Sequence, residues 1–391
     1  MGKVHNIRLL ILPVFFQLSV VLAMLGGNRG YLYIPFLCVF LYAILKRGSF
    51  LKKINRKEMY FFIIYFITIF FGLGVNFFRQ PVVIFYFFLG IAVWIAAFLF
   101  TRNLKEYYKS SKITLLLYQI IFIGAGVLKG FNNFPAVVPY EDMIPGSSAN
   151  VITSFAILLQ INYVIINYIV NKKTSLLTSL LTLIIAFIGY GRGSILSAML
   201  IVVICIFTSL GLQRKFKAII SVFFILIITS FVINNYWEEI NFFFTYKTKF
   251  SAGLVDDSRS LIIKTYLSLL DLPSFFAGVD YTGTLIDTQF GGNPHNTFLR
   301  AHRIFGLFYL LFIIFAPIVI ILNNTKKMEI LLYLSLIGVL YFRMFSEPII
   351  SPTIFDFYYF SFCLILLIKK NTYFDSNKLN KIYEKRISNL H

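Results

Sequence analysis

The chain has 391 residues, of which 59% are hydrophobic, 18% aromatic and only 13% charged, with a net charge of +20. A soluble protein of this length needs far more polar surface, so the composition excludes that class and predicts one polytopic membrane domain over 1–391. The three cysteines, Cys38, Cys205 and Cys363, fall in apolar stretches with neither a disulfide nor a zinc spacing, and read as small core hydrophobes.

Twelve apolar stretches follow one another, at approximately 9–25, 31–45, 59–74, 81–100, 113–128, 151–170, 174–190, 194–212, 218–234, 304–322, 330–346 and 353–368. A bilayer core about 30 Å thick takes roughly 20 helical residues, and most of the stretches suit that length. The fold class is therefore all-α, with about twelve transmembrane helices. The first stretch follows Lys3 and Arg8 as a signal peptide would. Its apolar run is longer than a usual signal core, however, and Met24-Leu25-Gly26 is a poor cleavage site, so it reads as a retained helix.

Charge orients the bundle. With a cytoplasmic amino terminus, the inside segments are 1–8, 46–58, 101–112, 171–173, 213–217, 323–329 and 369–391. They hold 25 Lys and Arg against five acids, while the other 11 basic residues are matched by 11 acids. The whole net charge thus lies on one side, as the positive-inside rule expects. The basic balance is an orientation signal and a contact for anionic membrane lipids, not a nucleic-acid footprint.

Two outside connections are long: 129–150, with Glu141 and Asp142, and the large loop 235–303. A structureless loop of the second length is unusual in a compact protein, so it is expected to be functional. It has its own helix signal, from a cap at Asp257 or Ser258 to about Leu270, stopped by Asp271-Leu-Pro273. Arg259 falls on the apolar face of that helix, beside Ile262, Ile263 and Tyr266. A cation aimed into the protein needs an anionic partner, here Asp256, Asp257, Asp280 or a ligand phosphate gripped by the planar guanidinium. The basic tail 369–391 reads as a solvated helix or an unstructured segment.

Several chemistries are missing. There is no Gly-x-x-x-x-Gly-Lys-Ser/Thr loop, and Gly189-Tyr-Gly-Arg-Gly-Ser194 lacks the lysine. No Asp-x-Asp pair and no Gly-x-Ser-x-Gly elbow is present. Any reaction at the outer face would use a substrate that arrives activated, with no metal and no cofactor of the protein's own.

The remaining candidates gather at that face. Arg192, between two glycines, is a snorkelling arginine or an anion clamp whose glycines let the backbone approach a head group. His295 follows Asn293-Pro294, read as the cap and first turn of a helix entering the tenth span; His295, Leu299, His302 and Gly306 would then form one stripe, with Arg303 beside it. His295 suits a base near neutral pH, and His302 is a structural or a substrate-binding histidine. Arg300 points elsewhere on the wheel. Asn296, Arg300, Arg303, His302 and Tyr281 form the substrate-binding set. Arg343 and Glu347, four residues apart before Pro348, read as a structural ion pair.

Asp257-Ser-Arg259, Pro273, Phe276-Ala-Gly278-Val, His295-Asn-Thr-Phe-Leu299 and Gly306 together resemble the signature region of the O-antigen polymerase and ligase superfamily, with a GT-C-like membrane fold. Gly191-Arg192-Gly193-Ser194 looks like the arginine-glycine turn that precedes the large loop in those families. Its large loop is on the short side, and Arg300 and Arg303 have no assured counterpart there. The resemblance implies a bacterial inner-membrane glycosyltransferase, its site facing the periplasm or exterior, acting on oligosaccharides joined to undecaprenyl pyrophosphate. Arg192 and Arg259 map onto the arginines implied in pyrophosphate binding, and His295 onto the implied histidine. It implies a repeat-unit polymerase of O-antigen or capsule, working beside a chain-length regulator and a flippase. A ligase differs only in its acceptor, the lipid A core. A flippase or ion-coupled transporter is the rival of another class, but would place ionisable residues mid-span and show inverted repeats.

Overall fold

The computed structural model describes residues 2–25, 33–45, 54–130, 148–209 and 257–368, with isolated positions at 139–143 and 238–246. The predicted span 218–234, the tail 369–391 and most of 235–256 lie outside the described residues. Among those described, every regular element is helical: α1 (Gly2–Leu25), α2 (Tyr33–Leu45), α3 (Arg56–Asn76), α4 (Val82–Thr101), α5 (Leu104–Leu128), α6 (Ala149–Asn171), α7 (Leu176–Ile188), α8 (Arg192–Ser209), α9 (Asp257–Ser268), α10 (Leu272–Ala277), α11 (Leu285–Thr288), α12 (Thr297–Asn324), α13 (Lys327–Ser346) and α14 (Asp356–Ile368). The predicted apolar stretches inside the described residues all fall on helices.

Seven of these helices are long and apolar enough to cross a membrane, and Ile11–Leu22, α7 and α14 are shorter apolar helices. By length and composition this is an all-α membrane protein. Large apolar side chains cover the outside of the bundle: Ile67, Phe70, Phe88, Ile120, Leu177 and Leu331 are each more than half exposed. Water would penalise such a surface, whereas lipid does not.

Inside the bundle, α6 is buried from Ile152 to Asn167, so its polar groups must find protein partners. Gln160 donates to Ser179 Oγ at 2.9 Å, and Gln119 donates to Thr182 Oγ1 at 2.9 Å and to the Thr178 carbonyl at 2.8 Å. Cys38, Cys205 and Cys363 are buried and free.

The two ends of the bundle carry separate polar sets. At one end, Arg102 meets Glu58 at 2.7 Å, Lys172 meets Glu329 at 2.8 Å and Lys57 donates to Asn324 at 2.7 Å. All six residues come from segments expected on the same side or from their boundaries. At the other end, α9, α10 and α11 pack over the entry to α12, around a small core of Ile262, Tyr266, Val279, Tyr281 and Ile286.

Two expectations change here. Pro273 does not simply stop a helix: Asp271 and Ser274 form a capping box, and Pro273 lies in the first turn of α10, where its missing N–H costs nothing. The helix into the tenth span begins at Thr297, not at Pro294, and α12 is broken at Gly306 (φ 77°, ψ −171°). A side chain at Gly306 would collide with the Phe276 and Ala277 carbonyls, so the break lets α10 press its backbone on α12. Asn76, buried at the end of α3, spans the junction by donating to the carbonyls of Ala277 (2.6 Å) and Ile304 (3.2 Å). A broken helix at membrane depth needs such a partner for its released carbonyl.

Candidate functional site

A cavity of about 270 Å³ opens at this end between α8, α9, α13 and the turn preceding α12. Three sequence candidates, Arg192, Arg259 and His295, line it together with Ser260, Asn296 and Ser346. Leu196, Phe342 and Phe345 form its apolar rim and remain substantially exposed on the outside of the bundle. The space therefore joins a cationic head to an apolar flank.

Arg259 reaches the cavity from α9, and its Nη2 lies 3.0 Å from Glu347 Oε1. This carboxylate comes from outside the large loop; of the partners expected within it, Asp256 and the Asp257 side chain lie outside the described residues. Asp280 instead accepts from the Thr282 hydroxyl (2.7 Å) and amide (3.1 Å). Burial raises the Asp280 carboxyl, but the Thr282 bonds and the charges of Arg303 and Arg79 outweigh it and hold the group below the ordinary range.

The expected Arg343–Glu347 pair does not form. Glu347 is the C-cap of α13: its N–H still closes the last turn onto the Arg343 carbonyl at 3.0 Å, but it is extended (φ −152°, ψ 144°) and its carboxylate turns toward Arg259. Arg343 is buried and donates to Ser346 Oγ (2.6 Å), Ser154 Oγ (2.7 Å) and the Asn150 carbonyl (3.3 Å). Freed from it, Glu347 serves the cavity. Its Oε2 lies 4.0 Å from His295 Nδ1, and its carbonyl accepts from Thr297 Oγ1 at 2.8 Å.

His295 is not on a helix, so the stripe His295, Leu299, His302, Gly306 does not exist as a surface. Gly291 and Gly292 have positive φ, Asn293 Oδ1 accepts the His295 amide at 2.9 Å, and His295 itself sits in the left-handed region (φ 45°). A non-glycine residue there costs of order 1–3 kcal/mol and is held by its surroundings. Asn296 then caps α12, its Oδ1 accepting from the Phe298 (2.8 Å) and Leu299 (3.2 Å) amides. Its carbonyl oxygen is spent on the helix, which makes Asn296 a builder of the turn that aims His295. The His295 imidazole stays partly exposed, with Nδ1 toward Glu347.

Arg192 opens α8 and its Nη1 is buried without a hydrogen-bond partner. No carboxylate lies within 4.0 Å of it among the described residues. An arginine nitrogen so placed is costly unless an anion joins it. A side chain at Gly193 would press on Arg343 Nη1, and one at Gly191 on Asn150 Oδ1, so both glycines admit neighbouring protein groups; Gly193 also lines the cavity.

His302 is structural in this arrangement. It is buried, with Nε2 2.8 Å from the Phe275 carbonyl and Nδ1 2.7 Å from the Tyr266 hydroxyl. A carbonyl only accepts, so Nε2 carries the proton and Nδ1 accepts from Tyr266. Burial pushes the Tyr266 phenol up, which keeps it a donor. The triangle ties α9 and α10 to α12 and leaves no imidazole nitrogen for substrate.

Arg300, Arg303 and Tyr281 line a different cavity, of about 220 Å³, on the other side of the same turn. Arg300 donates to the Tyr86 hydroxyl at 3.0 Å, the Arg303 guanidinium lies 3.8 Å over the Tyr281 ring, and Tyr281 donates to the Gly292 carbonyl at 2.7 Å. Glu347, Gln80 and Tyr86 were not reached as site residues by sequence reasoning. Gln80 and Glu347 each precede a proline, which marks a turn and not a site, and Tyr86 is one of many aromatic residues in an apolar stretch.

Among the described residues, no three His, Cys, Asp or Glu side chains gather as a metal-ligand set. No family model matches the chain, and no curated protein or solved structure is detectably similar to it.

Proposed function

We propose that the chain is a polysaccharide repeat-unit polymerase of the bacterial cytoplasmic membrane. It transfers a glycan from undecaprenyl pyrophosphate to a lipid-linked repeat unit on the outer face. The observation that carries this reading is the cavity in which Arg192, Arg259 and His295 converge beside an apolar rim. Such a space suits a head of phosphate charge joined to a long hydrocarbon tail.

In the proposed step the acceptor hydroxyl oxygen bonds to the anomeric carbon of the donor sugar. The bond from that carbon to the pyrophosphate oxygen breaks, its electron pair leaving with the pyrophosphate. The hydroxyl proton passes to His295 Nε2, and Glu347 across from Nδ1 balances the imidazolium charge. Arg192 and Arg259 neutralise the departing pyrophosphate by charge-assisted hydrogen bonds. The leaving group is carried on the substrate, so the reaction draws on no nucleotide.

A twelve-span topology with both termini cytoplasmic fits this reading. It is supported by the charge count of the sequence and by ion pairs formed between segments expected on the same side. The test is purified protein in detergent, given lipid-linked repeat units with EDTA and no nucleotide. Extension to longer lipid-linked chains is expected. Transfer only to a lipid A core acceptor would make the protein a ligase, and a divalent-cation requirement would demand a metal site.

A further inference from the structure

The second cavity has no part in the donor chemistry just described, and two of its lining residues, Gln80 and Arg303, carry polar atoms that the protein does not satisfy. Gln80 is buried at 6% exposure in the α3–α4 turn and lines this cavity, with neither Nε2 nor Oε1 hydrogen-bonded. Arg303 Nε is likewise buried and unpartnered, and neither Arg300 nor Arg303 has a carboxylate within 4.0 Å among the described residues. A buried amide left without partners at both ends is costly, so the site is built for a group that supplies them.

The identity of that group follows from hydrogen-bond chemistry. Gln80 Nε2 needs an acceptor and Oε1 needs a donor. An ionised phosphate or pyrophosphate accepts only, and would leave Oε1 unsatisfied. A sugar hydroxyl both donates and accepts, and neighbouring hydroxyls on one ring meet both atoms of the amide once the buried side chain turns out into the cavity. The Tyr86 and Tyr281 rings and the two guanidinium groups complete a lining suited to a polyol ring. Pro294 borders both cavities, and Pro348 borders this one directly after Glu347 turns to the other. The two spaces therefore flank the turn that carries His295.

We infer that the cavity lined by Gln80, Tyr86, Arg300 and Arg303 is the acceptor subsite, binding a sugar ring of the acceptor glycan through its hydroxyls. This deepens the polymerase reading and rests on it for the word acceptor. The binding of a saccharide at Gln80 can be measured independently.

Saturation-transfer NMR on the full-length protein in nanodiscs would use two kinds of probe. One is a panel of methyl glycosides of glucose, galactose, mannose, N-acetylglucosamine and glucuronic acid; the other is inorganic pyrophosphate, followed by phosphorus line-broadening. At least one glycoside should bind the wild-type protein. Gln80→Leu removes two hydrogen bonds and should weaken that binding about tenfold, while Arg259→Ala leaves it in place. Pyrophosphate binding should show the opposite pattern, lost in Arg259→Ala and kept in Gln80→Leu. Gln80→Leu also removes an unsatisfied buried amide, so its melting temperature should equal or exceed wild type, which separates a lost ligand from a lost fold. The subsite assignment is overturned if no glycoside binds, if binding survives Gln80→Leu, or if pyrophosphate is the ligand lost in Gln80→Leu. Loss of pyrophosphate binding to the wild-type protein alone, with glycoside binding intact, would overturn the donor-site reading and leave this one standing.

Discussion

Arg259 and Glu347, 88 residues apart, meet at 3.0 Å across the wall of the first cavity. The pair fixes the guanidinium of a loop helix to the end of a membrane-spanning helix, and it sets a carboxylate 4.0 Å behind His295. One acidic residue thus links the proposed pyrophosphate clamp to the proposed base.

The arginine role depends on shape as well as charge. Arg259→Lys keeps the positive charge but loses the planar fork, so donor binding and turnover should both fall. Each lost charge-assisted hydrogen bond corresponds to about 1.5–3 kcal/mol, or roughly ten- to hundredfold. Glu347→Gln keeps an acceptor for Arg259 but removes the charge facing His295. It should lower turnover more than donor affinity, as separate measurements of donor binding and single-turnover rate would reveal. Equal losses in both would make Glu347 a structural tether only.

The base role can be isolated because of the backbone. His295 occupies the left-handed region, which asparagine tolerates better than most residues. His295→Asn should keep the turn, the membrane level and the melting temperature. Turnover should fall by about 10²–10⁴ with donor binding kept, as for a lost general base. A stable variant with full activity would leave the site a purely electrostatic clamp.

Much of this was legible in the sequence, and the exceptions have local causes. Long apolar runs specify helices whatever their neighbours, so the described spans lie where hydropathy put them. Arg192, Arg259 and His295 stood out as charged or titratable groups at the face expected outside, and they line one space. The Arg343–Glu347 pair is absent because Glu347, the residue that closes α13, turns its carboxylate toward Arg259 and His295. The histidine stripe failed for a similar reason, since the Asn296 cap starts α12 beyond His295. Gln80 gave no signal at all: a glutamine in a short turn is ordinary until its burial and missing partners are seen in three dimensions.

Orientation is open to a direct check. Reporters fused after Arg56, Lys112, Lys217 and Lys370 should read cytoplasmic, and fusions near Ser147 and Thr284 should read outside. This follows from the charge asymmetry of the loops. A cytoplasmic signal at Thr284 would put the cavity on the wrong side for a lipid-linked donor at the outer face.

The central claim is that the first cavity holds the pyrophosphate of the lipid donor, and the affinity of purified protein for undecaprenyl pyrophosphate tests it most directly. Wild-type protein should bind the lipid. Arg192→Ala and Arg259→Ala should each weaken binding roughly ten- to hundredfold, as expected for lost charge-assisted hydrogen bonds, at unchanged membrane level and with glycoside binding kept as the check on the fold. Unchanged affinity with both arginines replaced would contradict the account.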